Sequence, residues 1–201
     1  IKQTAADRGF TGGAGIIMDV NNGGILALTN FPEYSSAVLS SGKNAQAISG
    51  YILNEKKPFL NRAVGGLYTP GSVVKPYVAI GALNEHVIDP QKKILSTGSI
   101  SIPNPYYPDI KSVFMDWKVH GWTDIYKAIA DSVDVYFYAL GGGYGEIRGV
   151  GIDVIEKYLR SAHADQKTGI DLPFETKGFV PSKKWKRETK NDSWYIGDTY
   201  N

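Results

Sequence analysis

Apolar and polar positions fall in blocks along the chain. Gly15-Ile16-Ile17-Met18-Asp19-Val20 and Ile25-Leu26-Ala27-Leu28-Thr29-Asn30 are nearly continuous apolar runs, separated by Asn21-Asn22-Gly23-Gly24. Asn and Gly tolerate the positive φ that tight hairpins need, so this pattern predicts two antiparallel strands. Strands apolar on successive residues also predict a sheet covered on both faces, with helices packed on it. Residues 31–62 are largely polar and predict a long excursion with a short helix near Asn44 to Asn54. A helix is expected over 72–85, where Val73, Val74, Val78, Ala79, Ile80, Ala82 and Leu83 can bury most of its surface.

The second half of the chain changes character. Residues 90–121 carry Pro90, Pro103, Pro105 and Pro108 among Tyr106, Tyr107, Phe114 and Trp117, which suits a surface lobe better than regular helix. Thr123 is placed to cap a helix from Asp124 to Asp131, and Val133 to Leu140 predicts a further apolar helix stopped by Gly141-Gly142-Gly143. An amphipathic helix is expected at Val154 to Ala162, followed by Ile170-Asp171-Leu172-Pro173 and a polar tail. The fold class read from this order is α+β, an antiparallel sheet flanked by helices.

Composition narrows the field. With 201 residues, 42% hydrophobic and 21% charged, the chain has apolar material for one sizeable globular domain. A net charge of +2 argues against nucleic acid as a partner, and Lys183-Lys184-Trp185-Lys186-Arg187 reads as a solvated helix face. The chain has no cysteine, which excludes disulfides and thiolate chemistry. No segment reaches the roughly eighteen apolar residues that span a bilayer.

The candidate chemistry lies in Tyr68-Thr69-Pro70-Gly71-Ser72-Val73-Val74-Lys75-Pro76. A turn throws Ser72 to the start of an apolar helix, and Lys75, three residues on, lies on the same face and within reach of the Ser72 hydroxyl. The unpaired N–H groups and positive dipole end of the helix favour negative charge developing at the serine. Pro76 is tolerated in the first turn. Chance supplies about one Ser-x-x-Lys string in a chain of this composition. The second one, Ser40-Ser41-Gly42-Lys43, sits in a polar Ser/Gly stretch and reads as a loop. A second motif, Ser132-Val133-Asp134, puts a hydroxyl and a carboxylate two residues apart at a junction of helices; the structural alternative is a cap by Ser132 with Asp134 in the following first turn.

Taken with Asn61-Arg62-Ala63, Asp116-Trp117-Lys118, Ser132-Val133-Asp134-Val135-Tyr136-Phe137-Tyr138, Thr168-Gly169-Ile170-Asp171-Leu172-Pro173 and Gly197-Asp198-Thr199, these segments resemble, over almost the full length, the transpeptidase domain of class B penicillin-binding proteins of the elongation type, penicillin-binding protein 2. The resemblance implies a penicillin-binding protein and serine β-lactamase-like fold. It makes Ser72 the nucleophile on a peptidoglycan stem peptide ending in D-Ala-D-Ala, Lys75 its general base in the neutral form, Ser132 a proton relay and Asp134 a holder of the lysine or the substrate. An amine of a neighbouring stem would resolve the acyl-enzyme, and β-lactams would be trapped at that stage. Family members often carry Asn at the third position of the second motif, and Asp134 fits the elongation type.

The family's third motif is a Lys-Thr-Gly strand. Lys167-Thr168-Gly169 is rejected for that role, because it follows Asp134 by only 33 residues, whereas related enzymes place theirs roughly a hundred residues on. The resemblance therefore implies that residues 1–201 are a partial transpeptidase domain, starting inside a longer protein and ending before the C-terminal strands. On that reading the 15–30 hairpin exposes an edge, and the oxyanion hole keeps only the Ser72 N–H. Since one lost donor costs about two to three powers of ten in rate, the chain alone is expected to be weakly acylated or inert.

Some elongation-type relatives bind zinc through carboxylates, a histidine and a cysteine, and Asp116 and His120 resemble two of those positions. With the cysteine absent and two ligands short of a closed site, no metal and no cofactor are expected, and His120 reads as a lobe residue. The resemblance also implies a bacterial membrane anchor, a catalytic domain on the outer, cell-wall face, and a membrane glycosyltransferase partner. A β-lactam sensor shares Ser72 and Lys75 but fits the Asn-Arg-Ala and Ser-Val-Asp segments less well. A serine β-lactamase needs a carboxylate to activate the deacylating water, and no motif here supplies one.

Overall fold

The computed structural model describes residues 1–104, 107 and 109–200. Pro105, Tyr106 and Pro108 of the proline-rich stretch, and Asn201, lie outside the described residues. The chain parts into two compact units, the first built from Ile1–Tyr68 with Lys167–Gly178 and the second from Thr69–Gln166 with the residues from Phe179 onward.

In the first unit, α1 (Lys2–Arg8) precedes the hairpin of β1 (Gly13–Met18) and β2 (Ile25–Phe31), paired antiparallel with Gly13 opposite Phe31 and Ile16 opposite Leu28. The connection is longer than a tight two-residue turn. Asp19 N–H donates to Gly24 O, the Asp19 carboxylate accepts from Asn21 N–H at 2.9 Å, and of these loop residues Gly23 takes the positive φ, at 75°. That backbone hydrogen bond, with the Asn21 side chain, holds the Asp19 carboxyl below its ordinary range. The sheet is not covered on both faces as its apolar runs predict: Ile17 and Leu26 are 62% and 71% exposed. Among the described residues the two strands pair only with each other, and with α4 (Arg62–Gly65) packed on them the remaining apolar surface is left bare.

The polar excursion contains two helices, α2 (Ser36–Ser41) and α3 (Ala45–Ile52), each started by a side-chain oxygen that accepts a backbone N–H, from Ser35 and Asn44 respectively. Tyr34, Tyr51 and Phe59 pack ring against ring around them. Arg62 N–H donates to Asn30 Oδ1 at 2.9 Å, and Thr176 N–H donates to Val64 O at 3.1 Å, which ties the 167–178 segment into this unit.

The second unit is organised on α5 (Lys75–Asn84), α6 (Ile125–Ala130), α7 (Asp134–Gly142) and α8 (Gly151–Ser161). Strands β3 (Ile94–Ser96) and β6 (Gly121–Thr123) form one antiparallel pair, and β4 (Ser99–Pro103) and β5 (Lys111–Met115) another. The stretch expected to be a surface lobe is thus partly core, because Ile94, Ser96, Ile100 and Asp116 are buried. The apolar α7 is central: Val135, Tyr136, Ala139 and Leu140 are fully buried against Val78, Ala79 and Ala82 of α5 and Ile125 and Ala128 of α6. Asp124, not Thr123, caps α6, its carboxylate accepting from Lys127 N–H at 3.0 Å. The expected glycine stop comes late, since α7 runs through Gly141 and Gly142. The Tyr200 ring lies where a Cβ on Gly142 would stand, and Gly143, at φ 93°, ends the helix. A last helix, α9 (Lys183–Lys190), carries the basic run; its Lys186 is not simply solvated, donating to Asp198 at 2.7 Å and pairing with Asp192 at 2.9 Å.

The Tyr136 phenol donates to Lys92 O at 3.2 Å and is pushed up to about 12 by burial, with the charges of Asp124 and Asp89 adding to the effect. The folded state thus holds this proton more tightly than the unfolded chain, whose phenol titrates near 10.0. Its stabilisation is complete below that pH and is lost as pH rises towards 12. Measured by urea unfolding, the stability advantage of the unsubstituted protein over Tyr136→Phe is expected to shrink by about 2–3 kcal/mol across this window.

Candidate active site

The site grows from a local irregularity. Pro70 and Gly71, the latter at φ 61°, turn the chain into a 3₁₀ helix over Gly71–Val74 before α5 begins at Lys75. The expected helix over 72–85 is therefore a 3₁₀ turn followed by an α-helix. Lys75 N–H donates to Ser72 O, three residues back. Side chains at i and i+3 eclipse in 3₁₀ geometry, so this bond stacks Lys75 over Ser72 more directly than an α-helical turn would. Ser72 is exposed, whereas Lys75 is buried at 8% exposure. The competing Ser40 lies in the last turn of α2 rather than in a loop. Gly42 in the left-handed conformation ends that helix before Lys43, so the second string has no helical i, i+3 geometry.

The Lys75 ammonium is the meeting point of the second unit's candidate site residues. Its Nζ donates to Ser132 O at 2.8 Å, Ser132 Oγ at 3.0 Å and Asp134 Oδ1 at 2.5 Å. Three acceptors match the three N–H groups of an ammonium, which is what a buried charge requires. The Phe137 ring lies 5.5 Å from the same nitrogen. The two oxygens of Ser132 converge because Ser132, between α6 and α7, has a left-handed backbone at φ 52°. No side-chain bond from Ser132 caps α7, whose N-cap residue is Val133. Asp134 does occupy the first turn, where a carboxylate is favoured by the helix dipole. Lys75, Ser132 and Asp134 are thus brought together. Ser72 stands three residues before the lysine, and no hydrogen bond joins their side chains among the described residues.

Behind this cluster lies a buried carboxylate whose partners have no sequence signal. Asp116 Oδ2 accepts from Val135 N–H at 3.0 Å and Ser96 Oγ–H at 3.3 Å, and Oδ1 accepts from Trp117 N–H at 2.8 Å. The charges of Asp134 and Asp116, after burial itself, push the Tyr138 phenol up; its hydroxyl donates to Met115 O at 3.1 Å. His120 is no surface residue: its side chain is fully buried, with Nε2 3.3 Å from Asp116 Oδ1 and Nδ1 3.9 Å from Asp131 Oδ2. Neither ring nitrogen is aligned for a hydrogen bond. These residues do not fit a zinc site. The chain has no cysteine, and among the described residues no three His, Cys, Asp or Glu side chains are grouped to hold a metal.

Lys167-Thr168-Gly169 is not a strand. Thr168 donates to Glu175 through both its N–H and its hydroxyl, each at 2.6 Å, which keeps the Glu175 carboxyl below its ordinary range.

Helices packed with short antiparallel sheets around a Ser-x-x-Lys turn define the class of penicillin-binding and serine β-lactamase-like folds. The chain belongs to the penicillin-binding protein transpeptidase domain family, whose model matches residues 13–201. It is 35% identical over 189 residues to the peptidoglycan D,D-transpeptidase MrdA of Acinetobacter baumannii, covering 93% of this chain and 26% of that protein. It is 31% identical over 186 residues to MrdA of Escherichia coli K12, covering 92% of this chain and 28% of the relative. Among solved structures it is similar to the penicillin-binding protein PBP2 of Helicobacter pylori, with TM-score 0.80 and 35% identity over 98% of this chain and 36% of the other. Pseudomonas aeruginosa PBP2 in complex with WCK 5153 gives TM-score 0.77 and 30% identity over 98% of this chain and 42% of the other. The chain spans about a quarter of the length of these curated relatives.

The left-handed backbone at Ser132 makes a test of its own. At an ordinary helical position Ala is more stabilising than Gly, but at φ 52° the order reverses. Ser132→Gly is expected to be more stable than Ser132→Ala by about 1 kcal/mol in chemical denaturation, since both lose the same hydroxyl and only Ala keeps the strain.

Proposed function

We propose that residues 1–201 are a partial transpeptidase domain carrying the acylating half of a peptidoglycan D,D-transpeptidase, with Ser72 as nucleophile. The observation that carries this reading is the convergence of Ser132 and Asp134 on Lys75, one 3₁₀ turn after an exposed serine. The substrate is a stem peptide ending in D-Ala-D-Ala. Ser72 Oγ attacks the carbonyl of the penultimate residue as its proton leaves, the peptide bond breaks, and the departing D-alanine amine takes a proton. An amine of a second stem then attacks the ester, forms the cross-link and returns a proton to Ser72.

Lys75 with all three N–H groups engaged has no lone pair for that first proton. Asp134 Oδ1, at 2.5 Å, is the acceptor at hand for the surplus proton. Once Lys75 is neutral it can take the Ser72 proton, and Ser132 Oγ, at 3.0 Å from the same nitrogen, can pass it to the leaving amine. A β-lactam, as a mimic of the dipeptide, acylates Ser72 and stays there. Family likeness supports a membrane anchor and a membrane glycosyltransferase partner for the whole protein, with the domain on the cell-wall face. Among the described residues no helix is long and apolar enough to cross a membrane.

A fluorescent penicillin added to the full-length protein that carries this chain is expected to label Ser72, with the adduct lasting hours. Ser72→Ala is expected to abolish labelling, and Lys75→Ala to slow it about 10²- to 10⁴-fold. Labelling that survives Ser72→Ala would overturn the reading, and an adduct lost within seconds would mark a hydrolase instead.

A further inference from the structure

We propose that Asp116 is a positioning residue for the Ser132–Asp134 segment: its carboxylate closes the N-terminus of α7 and so fixes the groups that hold Lys75. The inference rests on the reading of Ser72 and Lys75 as the acylating pair.

The first N–H groups of a helix have no partner within it and are ordinarily met by the side chain of the N-cap residue. In α7 that residue is Val133, which has no acceptor to offer. Ser132 does not compensate, because its hydroxyl accepts from Lys75. The acceptor comes instead from β5's end, 19 residues earlier: Asp116 Oδ2 stands 3.0 Å from Val135 N. This bond falls on the residue after Asp134, inside the turn that aims the Asp134 carboxylate at Lys75.

Asp116 is itself held on all sides. Its side chain is fully buried, Trp117 N–H fixes Oδ1 and Ser96 Oγ–H shares Oδ2 with Val135. A carboxylate without donors would not be tolerated there. The positive end of α7 and the three donors make the site suitable for a negative charge. Without this bond the first turn of α7 would be freed to fray, and Ser132 and Asp134 would no longer be set at once to the positions that meet a single ammonium.

The test compares acylation of the full-length protein by fluorescent penicillin, resolving the half-saturating concentration from the first-order acylation rate. Asp116→Asn keeps an acceptor for Val135 N–H and is expected to stay within about threefold of the unsubstituted rate. Asp116→Ala is expected to lower the rate about tenfold with half-saturation unchanged. A merely structural loss would instead reduce the fraction labelled and leave the rate of the labelled molecules intact, which would overturn the proposal. Should Asp116→Ala not fold, Ser96→Ala, which loosens Asp116 without removing it, is expected to slow acylation about two- to threefold, and an unchanged rate would count against the proposal. Chelation by EDTA is expected to change nothing. If it slows the unsubstituted protein as far as Asp116→Ala does, Asp116 is a metal ligand and the proposal fails. An unsubstituted protein that takes no label at Ser72 would overturn the functional reading itself, whereas Asp116→Ala reacting at the full rate would overturn this inference alone.

Discussion

A buried ammonium dictates the geometry of the second unit. Lys75 is almost removed from water, and such a charge is tolerated only where acceptors replace its hydration. One carbonyl, one hydroxyl and one carboxylate do so, the first two from Ser132 and the third from Asp134. For those three oxygens to reach one nitrogen, the chain between α6 and α7 must reverse sharply, and Ser132 takes a backbone conformation that costs a non-glycine residue about 1–3 kcal/mol. The burial of Ala128 before this reversal and of Val133, Val135 and Tyr136 after it resists its relaxation.

The same constraint shapes what surrounds the cluster. A Pro-Gly turn and a 3₁₀ start put Ser72 in the open while sending the next turn of the helix inwards, so one short segment presents an exposed hydroxyl and a buried amine. The junction holding Ser132 cannot also cap α7, since its hydroxyl is committed to the lysine, and a distant carboxylate meets the free N–H. Ion pairs of this kind contribute little net stability against an apolar alternative. What their arrangement does here is fix the relative positions of Lys75, Ser132 and Asp134.

Legibility in the sequence tracks the range of the interactions. The α5 and α7 helices were readable because their apolar residues run over whole turns, and the hairpin was readable from two apolar runs around an Asn/Gly loop. Strands β3 to β6 were not, because three to five residues are too few to establish a period and proline-rich composition obscures them. The Gly141-Gly142-Gly143 string looks like a stop, but two of those glycines continue the helix, where Tyr200 leaves no room for a Cβ on Gly142. Apolar patterning alone also overstated the covering of the first hairpin, since continuous apolar strands record what a sheet can bury and not which element covers it.

The sequence by itself determined the Ser72–Lys75 relation, because three residues of helical chain fix it whatever the rest of the protein does. It also marked Ser132-Val133-Asp134 as a hydroxyl–carboxylate pair. Only the tertiary structure decided that these two segments share one ammonium across 57 to 59 residues, that Ser132 contributes its carbonyl as well as its hydroxyl, and that Asp116 rather than the motif's own serine holds the start of α7. The physical reason is that hydrogen-bond capacity is written in residue type, whereas which donor meets which acceptor is settled by the packing of α5, α6 and α7, where a buried polar group must take whatever partner the fold brings within reach.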